Sequence, residues 1–393
     1  MELWIVVIFF IGYLFITIEH QTNIDKTISA LGMAVVCWTI LKVANLTVFE
    51  VGAGGLEAIS TTPEGNHEAI DNLLLHHLGK IAEILFFLIG AMTIVEIIDM
   101  HRGFEIIKHL IKTKQKVKLL WIIGIIAFFL SALIDNLTTT IILITIVRKL
   151  IPVQSERFWY ASLIVIAANA GGAWSPIGDV TTTMLWMANK VSAGKLVEYV
   201  FIPSVVCLFV PLIIASFLPA FRGNIEEKEG EENKTFRSSM PVLLIGFLAI
   251  ICVPIFKSVV HLPPYMGMLF ALASMWFISE KLKPIRELDE EHSVNFSTHR
   301  ALSRIEFSSI LFFLGILLAV ASLESIGALF NFAGTLKDTI PSENVVVLLL
   351  GCASAVIDNV PLVAASIGMF QEGLNAPIWH EIAYAAGTGG SLL

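Results

Sequence analysis

Two Asp-Asn pairs interrupt long apolar stretches of the sequence. The first pair is Asp135-Asn136 and the second is Asp358-Asn359. An Asp at the centre of a membrane helix costs about 2.5–3.5 kcal/mol on insertion scales, so an ionisable group in this setting is a candidate functional residue. Carboxylate, amide and free helix-end backbone oxygens are hard ligands that suit a small hard cation. Capping of a helix N-terminus is the alternative role, and one Asp can fill both roles.

A serine precedes each Asp by four residues, Ser131 in the first motif and Ser354 in the second. At that spacing the serine and the Asp share one helix face. The first pair is followed by threonines, Thr139 among them, whereas the second is followed by Pro361 and apolar residues. Hydroxyl oxygens can bind a cation and a proline ring cannot. We therefore expect the cation nearer the first pair, with Asp358 acting as a cap or a secondary charge.

A glycine-rich segment runs from Asn169 to Thr182 and reads Asn-Ala-Gly-Gly-Ala-Trp-Ser-Pro-Ile-Gly-Asp-Val-Thr-Thr. Its glycines and its proline disfavour an unbroken helix. Unwound backbone at membrane depth is tolerated only inside protein or beside a water-filled cavity. We expect Asp179, Thr181 and Thr182 to cap a new half-helix while facing a ligand. A structural kink with a capping Asp is the alternative.

Three motifs occur twice, in the same order. The segment from Ser131 to Asn136 returns 223 residues later, and Leu85-Phe-Phe-Leu returns 226 residues later. The Gly-Gly motif of the glycine-rich segment returns 218 residues later, now flanked by Thr388 and Ser391. A nearly constant offset indicates an internal repeat. In the second copy the chain ends before any counterpart of Asp179.

The composition is that of a polytopic membrane protein. Of 393 residues, 56% are hydrophobic and 15% are charged, against roughly 45–50% and about 25% in soluble domains. The apolar residues form blocks of about 18–25 residues, long enough to cross the hydrocarbon layer as helices. The alternating pattern of a membrane barrel is absent. The sequence therefore predicts an all-α polytopic membrane protein, whose partners are lipid and small cations rather than nucleic acid, since it has no basic stripe.

Eight spanning segments are expected near residues 3–19, 27–45, 81–100, 159–188, 197–220, 240–257, 262–279 and 306–328. The first is interpreted as a retained helix because Glu2 stands where a signal peptide would be basic. Two further stretches, residues 119–150 and 343–372, are long enough for two short helices each.

The distribution of basic residues orients these segments. The loops at residues 101–118 and 148–157 are both rich in Lys and Arg, so both should be cytoplasmic. Both flanks of residues 119–150 then lie on one side, which predicts a re-entrant hairpin. Counting onward, residues 343–372 form a hairpin that enters from the opposite face, and the two Asp-Asn tips should meet near the bilayer centre. Oppositely oriented copies are typical of secondary transporters.

The same count places residues 51–80 outside, with a short surface helix expected over residues 64–77. His101 is expected in the solvated cytoplasmic loop, although a pH-sensing role there is an alternative.

The chain is predicted to have four parts. Residues 1–80 form the N-terminal scaffold helices and outer loop, and residues 81–220 form the first repeat with hairpin 119–150 and broken helix 159–188. Residues 221–305 form a linker and scaffold helices, and residues 306–393 form the second repeat with hairpin 343–372 and a truncated broken helix from 378.

These motifs resemble the NhaD family of sodium/proton antiporters, part of a superfamily that includes dicarboxylate and arsenite carriers. The resemblance runs from about Gly12 along almost the whole chain. It implies a scaffold domain that forms a homodimer and a mobile domain that moves as an elevator. It also implies that the second ion-binding half-helix and one more span would follow Leu393. The polar positions that it implies are Ser131, Asp135, Asn136, Asn169, Asp179, Thr181, Thr182, Ser354 and Asn359.

The predicted activity is exchange of sodium, and of lithium, for protons in the inner (plasma) membrane, which serves pH homeostasis. A buried carboxylate holds either a sodium ion or a proton, so we expect sodium at Asp135 and Asp179. No cofactor and no covalent chemistry are needed, so the protein is not expected to be an enzyme.

Three alternatives compete with this prediction. A sodium-coupled symporter of a small anion would favour neutral tips, and Asp135 and Asp358 would repel its cargo. An intramembrane aspartyl protease also needs two buried aspartates, but the repeat has no role in proteolysis. A respiratory proton-pump subunit would be expected to carry buried lysines along a proton path, and Lys42 is a poor candidate.

Overall fold

The computed structural model describes residues 1–52, 55–60, 62–111, 113–225, 237–282, 298–340, 342–356 and 358–391. Helices dominate it. In chain order they begin with α1 (Glu2–Thr17), α2 (Glu19–Thr22), α3 (Lys26–Val43), α4 (Pro63–Met100), α5 (Glu105–Leu110), α6 (Lys116–Ser131), α7 (Asn136–Leu150), α8 (Gln154–Ala173), α9 (Val180–Met187) and α10 (Ala193–Ser216). They continue with α11 (Ser239–Val260), α12 (Pro264–Lys281), α13 (Thr298–Leu302), α14 (Phe307–Ser325), α15 (Ala328–Thr339), α16 (Glu343–Ala353), α17 (Asn359–Met369) and α18 (Pro377–Gly389).

The chain divides into two compact units. One comprises Met1–Phe86 with Glu306–Leu393, and the other comprises Phe87–Ile305. Five of the described helices are long and apolar enough to cross a membrane, namely α3, α4, α10, α11 and α14.

The first unit is built around a close pair of helices, α3 and α14, with α1 packed on α3. A Cβ atom on Gly315 would lie 2.7 Å from the backbone of Ala30 and Leu31, so the two helices could not approach this closely with a larger residue there. The indole N–H of Trp38 on α3 donates to the carbonyl of Leu318 on α14 at 2.8 Å. The pair is therefore fixed by backbone proximity and by a directional bond.

The expected outer loop is partly ordered into regular structure. Strands β1 (Phe49–Gly52) and β2 (Gly55–Ala58) form an antiparallel hairpin. The separate surface helix expected over residues 64–77 is wrong, because α4 runs without interruption from Pro63 to Met100. The helix α15 also occupies a stretch that was expected to be a loop; it buries Leu329 and Ala333, four residues apart on one face.

The second unit contains the first interrupted stretch. Its helices α6, α7, α8 and α10 pack on one another, and α11 packs on α12. Three of the predicted interruptions are present as helix breaks, which lie between α6 and α7, between α8 and α9, and between α16 and α17. The broken helix predicted from residue 378 is described only as the continuous helix α18.

His101 lies in the second unit and is 1% exposed, so its expected place in a solvated loop is wrong. Its ring nitrogens lie 3.0 Å from the hydroxyls of Ser238 and Ser279, and the hydroxyl of Ser239 donates to its carbonyl at 2.6 Å. Burial lowers the pKa of this imidazole because the charged form loses its hydration. The residue joins the C-terminus of α4 to α11 and α12.

Candidate functional site

The tip of the first hairpin is organised by Asp135. This residue is the N-cap of α7, and its Oδ1 accepts a hydrogen bond from the N–H of Thr138 at 2.8 Å. Its Oδ2 accepts from the Thr138 hydroxyl at 2.6 Å. Both carboxylate oxygens are thus tied to one threonine, and the side chain is half-buried. The capping role considered for this Asp is present.

The hairpin tip is joined to the broken helix by two amides. The Asn136 side-chain amide donates to Oδ1 of Asn169 on α8 at 2.9 Å. Thr139 is fully buried one turn into α7, with its hydroxyl 3.5 Å from the carbonyl of Ile134. These three predicted site residues therefore lie in one region of the second unit.

The break between α8 and α9 is held by three consecutive threonines. Asp179, 4% exposed, caps α9 and accepts from the Thr181 hydroxyl at 2.9 Å. The Thr182 hydroxyl donates to the carbonyl of Ser175 at 2.7 Å, and the Thr183 hydroxyl donates to the carbonyl of Pro176 at 3.0 Å. The unwound segment thus has a defined geometry. Thr183 was not among the predicted site residues, although it directly follows Thr181 and Thr182, which were.

Glycines bring the hairpin against this break. A Cβ atom on Gly178 would lie 2.6 Å from the carbonyl oxygen of Ser131, and one on Gly171 would lie 2.1 Å from that of Phe128. Any side chain at either position would displace the backbone. The C-terminus of α6 therefore lies directly against the residue that precedes Asp179.

Ser131 is fully buried, and its hydroxyl has no hydrogen-bond partner among the described residues. A buried hydroxyl in this condition costs about 1–3 kcal/mol, because it lost its hydration without a replacement. The indole N–H of Trp174, whose ring stacks on Phe128 inside the same break, is also buried without a partner in the described part of the chain. Trp174 was not among the predicted site residues.

The break between α16 and α17, in the first unit, differs from the first break in its polar partners. Asp358 caps α17, and its Oδ1 accepts from the N–H of Val360 at 3.1 Å. The Ser354 hydroxyl donates to the carbonyl of Ala386 on α18 at 2.9 Å, so it is satisfied where Ser131 is not. Asn359 is half-buried as the first residue of α17.

One backbone contact occurs in both of the sequence segments that are alike, each within its own unit. A Cβ atom on Gly389 would lie 2.3 Å from the carbonyl oxygen of Gly351. By the sequence offsets, Gly389 corresponds to Gly171 and Gly351 corresponds to Phe128. Nearby, Thr388 and Ser391 donate their hydroxyls to carbonyls of their own helix turn, at 2.6 Å each.

The charge of the candidate site is low. Among the residues that the structure describes, no group of three or more His, Cys, Asp or Glu side chains could hold a metal ion. Divalent calcium sites usually gather several carboxylates.

The sequence also matches known families. The family model described as "Citrate transporter" (CitMHS) matches residues 13–389. "Sodium/proton antiporter 1" and "Sodium/proton antiporter 2" of Arabidopsis thaliana are 40% and 38% identical over 98% of the chain. The chain spans 64% of the length of the former and 88% of the latter. The "Na(+)/H(+) antiporter NhaD" of Alkalimonas amylolytica is 30% identical over 99% of the chain and 80% of its own length. The resemblance to NhaD proteins is thus confirmed.

A solved structure shares the fold. The Alcanivorax borkumensis YdaH transporter superposes with a TM-score of 0.56 at 11% identity, covering 92% of this chain and 87% of its own. At this identity the similarity concerns the architecture alone. An all-α membrane transporter fold agrees with the predicted class.

Proposed function

We propose, from the premise that the chain belongs to the citrate transporter (CitMHS) family, that it is a sodium/proton antiporter of the inner (plasma) membrane. The relatives that bear antiporter names support this activity over the whole length of the chain. The transported ions are sodium, and lithium as a close substitute, and protons.

The observation that carries this proposal is the hydroxyl of Ser131, which has no hydrogen-bond partner among the described residues. It lies fully buried against a helix break whose next half-helix is capped by Asp179. A bound cation would give the oxygen of the Ser131 hydroxyl a partner. The side chains in the same region that provide further oxygens are those of Asn136, Asn169 and Thr139. We therefore place the sodium ion near the first hairpin tip, within reach of Asp135 and Asp179.

Coupling follows from competition at the carboxylates. A bound cation stabilises the ionised form of an Asp, and protonation removes the charge that attracts the cation. If the site faces each side of the membrane in turn, proton entry drives sodium exit. This chemistry needs neither a cofactor nor a covalent intermediate.

An inverted repeat with two re-entrant hairpins would explain how the ion site is exposed to each side of the membrane in turn. The glycine–carbonyl contact found in both halves supports the repeat, and the basic loops on both sides of residues 119–150 support the first re-entrant hairpin. A homodimeric scaffold and an elevator movement belong to the same proposal.

Sodium-coupled anion symport is the second candidate, favoured by the name of the family model. Its tips would have to accept a carboxylate beside Asp135 and Asp358, which like charge disfavours. Proteolysis is opposed by the antiporter names of the relatives described above.

The test is proton flux in proteoliposomes that contain the purified chain and an internal pH probe. Added sodium or lithium should release protons, and potassium or citrate should not. The double variant Asp135→Asn with Asp179→Asn should be nearly inactive, whereas Asp338→Asn, which alters an exposed acid on α15, should behave as wild type. Citrate-driven flux, or normal exchange by the double variant, would contradict the proposal.

A further inference from the structure

The second Asp-Asn tip faces a lysine. The ammonium nitrogen of Lys26, the first residue of α3, lies 3.9 Å from Oδ2 of Asp358. Both residues are in the first unit, and their side chains are 37% and 26% exposed. The carboxylate of the second repeat is thus provided with a cation by the protein itself.

One sequence difference between the two Asp-Asn motifs leaves Oδ2 of Asp358 available to the lysine. In the first hairpin, Thr138 binds both oxygens of Asp135 through its N–H and its hydroxyl. The repeat offset places Pro361 at the corresponding position, and proline has neither group. Asp358 therefore makes one capping bond, to Val360, and its Oδ2 is directed to the lysine.

Lys26 is held in place from two sides. Its ammonium lies 4.6 Å from the centre of the Phe312 ring on α14, within range of a cation–π interaction. Its backbone N–H donates to Oε1 of Glu19 at 3.2 Å. The first turn of a helix is an unfavourable place for a cation, because the helix dipole is positive there. A lysine at this position is accounted for by the acidic groups that it meets.

We propose that Lys26 is a resident cation that occupies the second-repeat carboxylate, so that the antiporter binds one sodium ion, at the first tip only. This inference rests on the proposed sodium/proton exchange. The ammonium takes the place that a second sodium would hold beside Asp358. The two halves thus share one scaffold, while the ion-binding stoichiometry is set by a residue outside the repeat.

The test counts sodium ions bound per chain, with radioactive sodium and the purified full chain in detergent. Wild type and Lys26→Arg should bind one ion. Lys26→Gln frees Asp358 and should bind two, and the double variant Lys26→Gln with Asp358→Asn should return to one. A merely structural role for the ion pair would lower stability without changing this count.

The single variant Asp358→Asn makes the test independent of whether Lys26→Gln folds. It should still bind one ion with unchanged affinity. A well-folded Lys26→Gln that binds one ion, or a loss of bound sodium in Asp358→Asn, overturns the resident-cation inference and leaves sodium exchange intact. A wild-type chain that binds no sodium overturns the proposed function, and this inference with it.

Discussion

Ser131 and Ser354 occupy the same place in the two hairpins but have different partners. The hydroxyl of Ser354 is bonded to Ala386, and the hydroxyl of Ser131 has no partner among the described residues. The prediction that each serine shares a helix face with its Asp is wrong, because a helix break separates the two residues in both motifs. Sequence could not show which hydroxyl is satisfied, because that depends on the carbonyls of another helix.

This difference predicts opposite effects of two matched substitutions. Ser131→Ala should lower the apparent sodium affinity about tenfold, which is about 1.4 kcal/mol, without lowering the free energy of unfolding. Ser354→Ala should lower the free energy of unfolding by about 0.5–1.5 kcal/mol and leave the affinity unchanged. Sodium-dependent proton flux and thermal unfolding of the same preparations measure both quantities. Equal apparent sodium affinities in the two variants would show that Ser131 does not bind the ion.

His101 predicts a pH dependence of stability. Its folded-state pKa is lowered by burial, so the folded protein prefers the neutral ring. Its stabilising contribution is fully present above the unfolded pKa of about 6.5 and is lost as the pH falls through the lower folded pKa. The difference in melting temperature between wild type and His101→Gln should therefore shrink from about pH 8 to about pH 5. A constant difference across this range would contradict the assignment.

At the scale of elements, the helix breaks were predictable and the small ordered pieces were not. Proline, glycine and capping Asp residues mark the breaks directly in the sequence. The helix α15 was missed because it is short and mixes apolar with polar residues, and the segment after Pro63 was separated from α4 because it is more polar than the following span. Apolar length identifies membrane crossings; it does not show where a helix extends beyond them.

Close backbone approach predicts the effect of adding one methyl group. Gly171→Ala would place a Cβ atom 2.1 Å from the Phe128 carbonyl, so α6 and α8 would have to separate and the folded protein should be lost or strongly destabilised. Gly194→Ala on α10 meets nothing within 4 Å and should be neutral or stabilising by about 0.5–1 kcal/mol. Thermal unfolding of the purified variants tests both. A Gly171→Ala protein as stable as wild type would refute the close contact.

For the whole molecule, the sequence predicted the class and the family, because apolar blocks and motifs are properties of the chain alone. The roles of Lys26 and Trp174 could not be predicted, since each depends on residues far away in sequence. The membrane sidedness of the hairpins remains a prediction.

Sidedness can be tested by labelling. With the native cysteines replaced, single cysteines at residues 115 and 153 should react with a membrane-impermeant reagent from the cytoplasmic side only. Both positions flank residues 119–150 and lie in or beside basic loops. Reaction from opposite sides would mean that this stretch crosses the membrane once, and the re-entrant hairpin would be excluded.

The central claim is that sodium and protons compete for the same carboxylates. It is tested most directly by measuring the apparent sodium affinity of exchange in proteoliposomes as a function of pH. Competition predicts that, once the site begins to protonate, each tenfold rise in proton concentration raises the half-saturating sodium concentration about tenfold, with the rate at saturating sodium little changed. A half-saturating concentration that stays constant while the maximal rate falls would contradict the account.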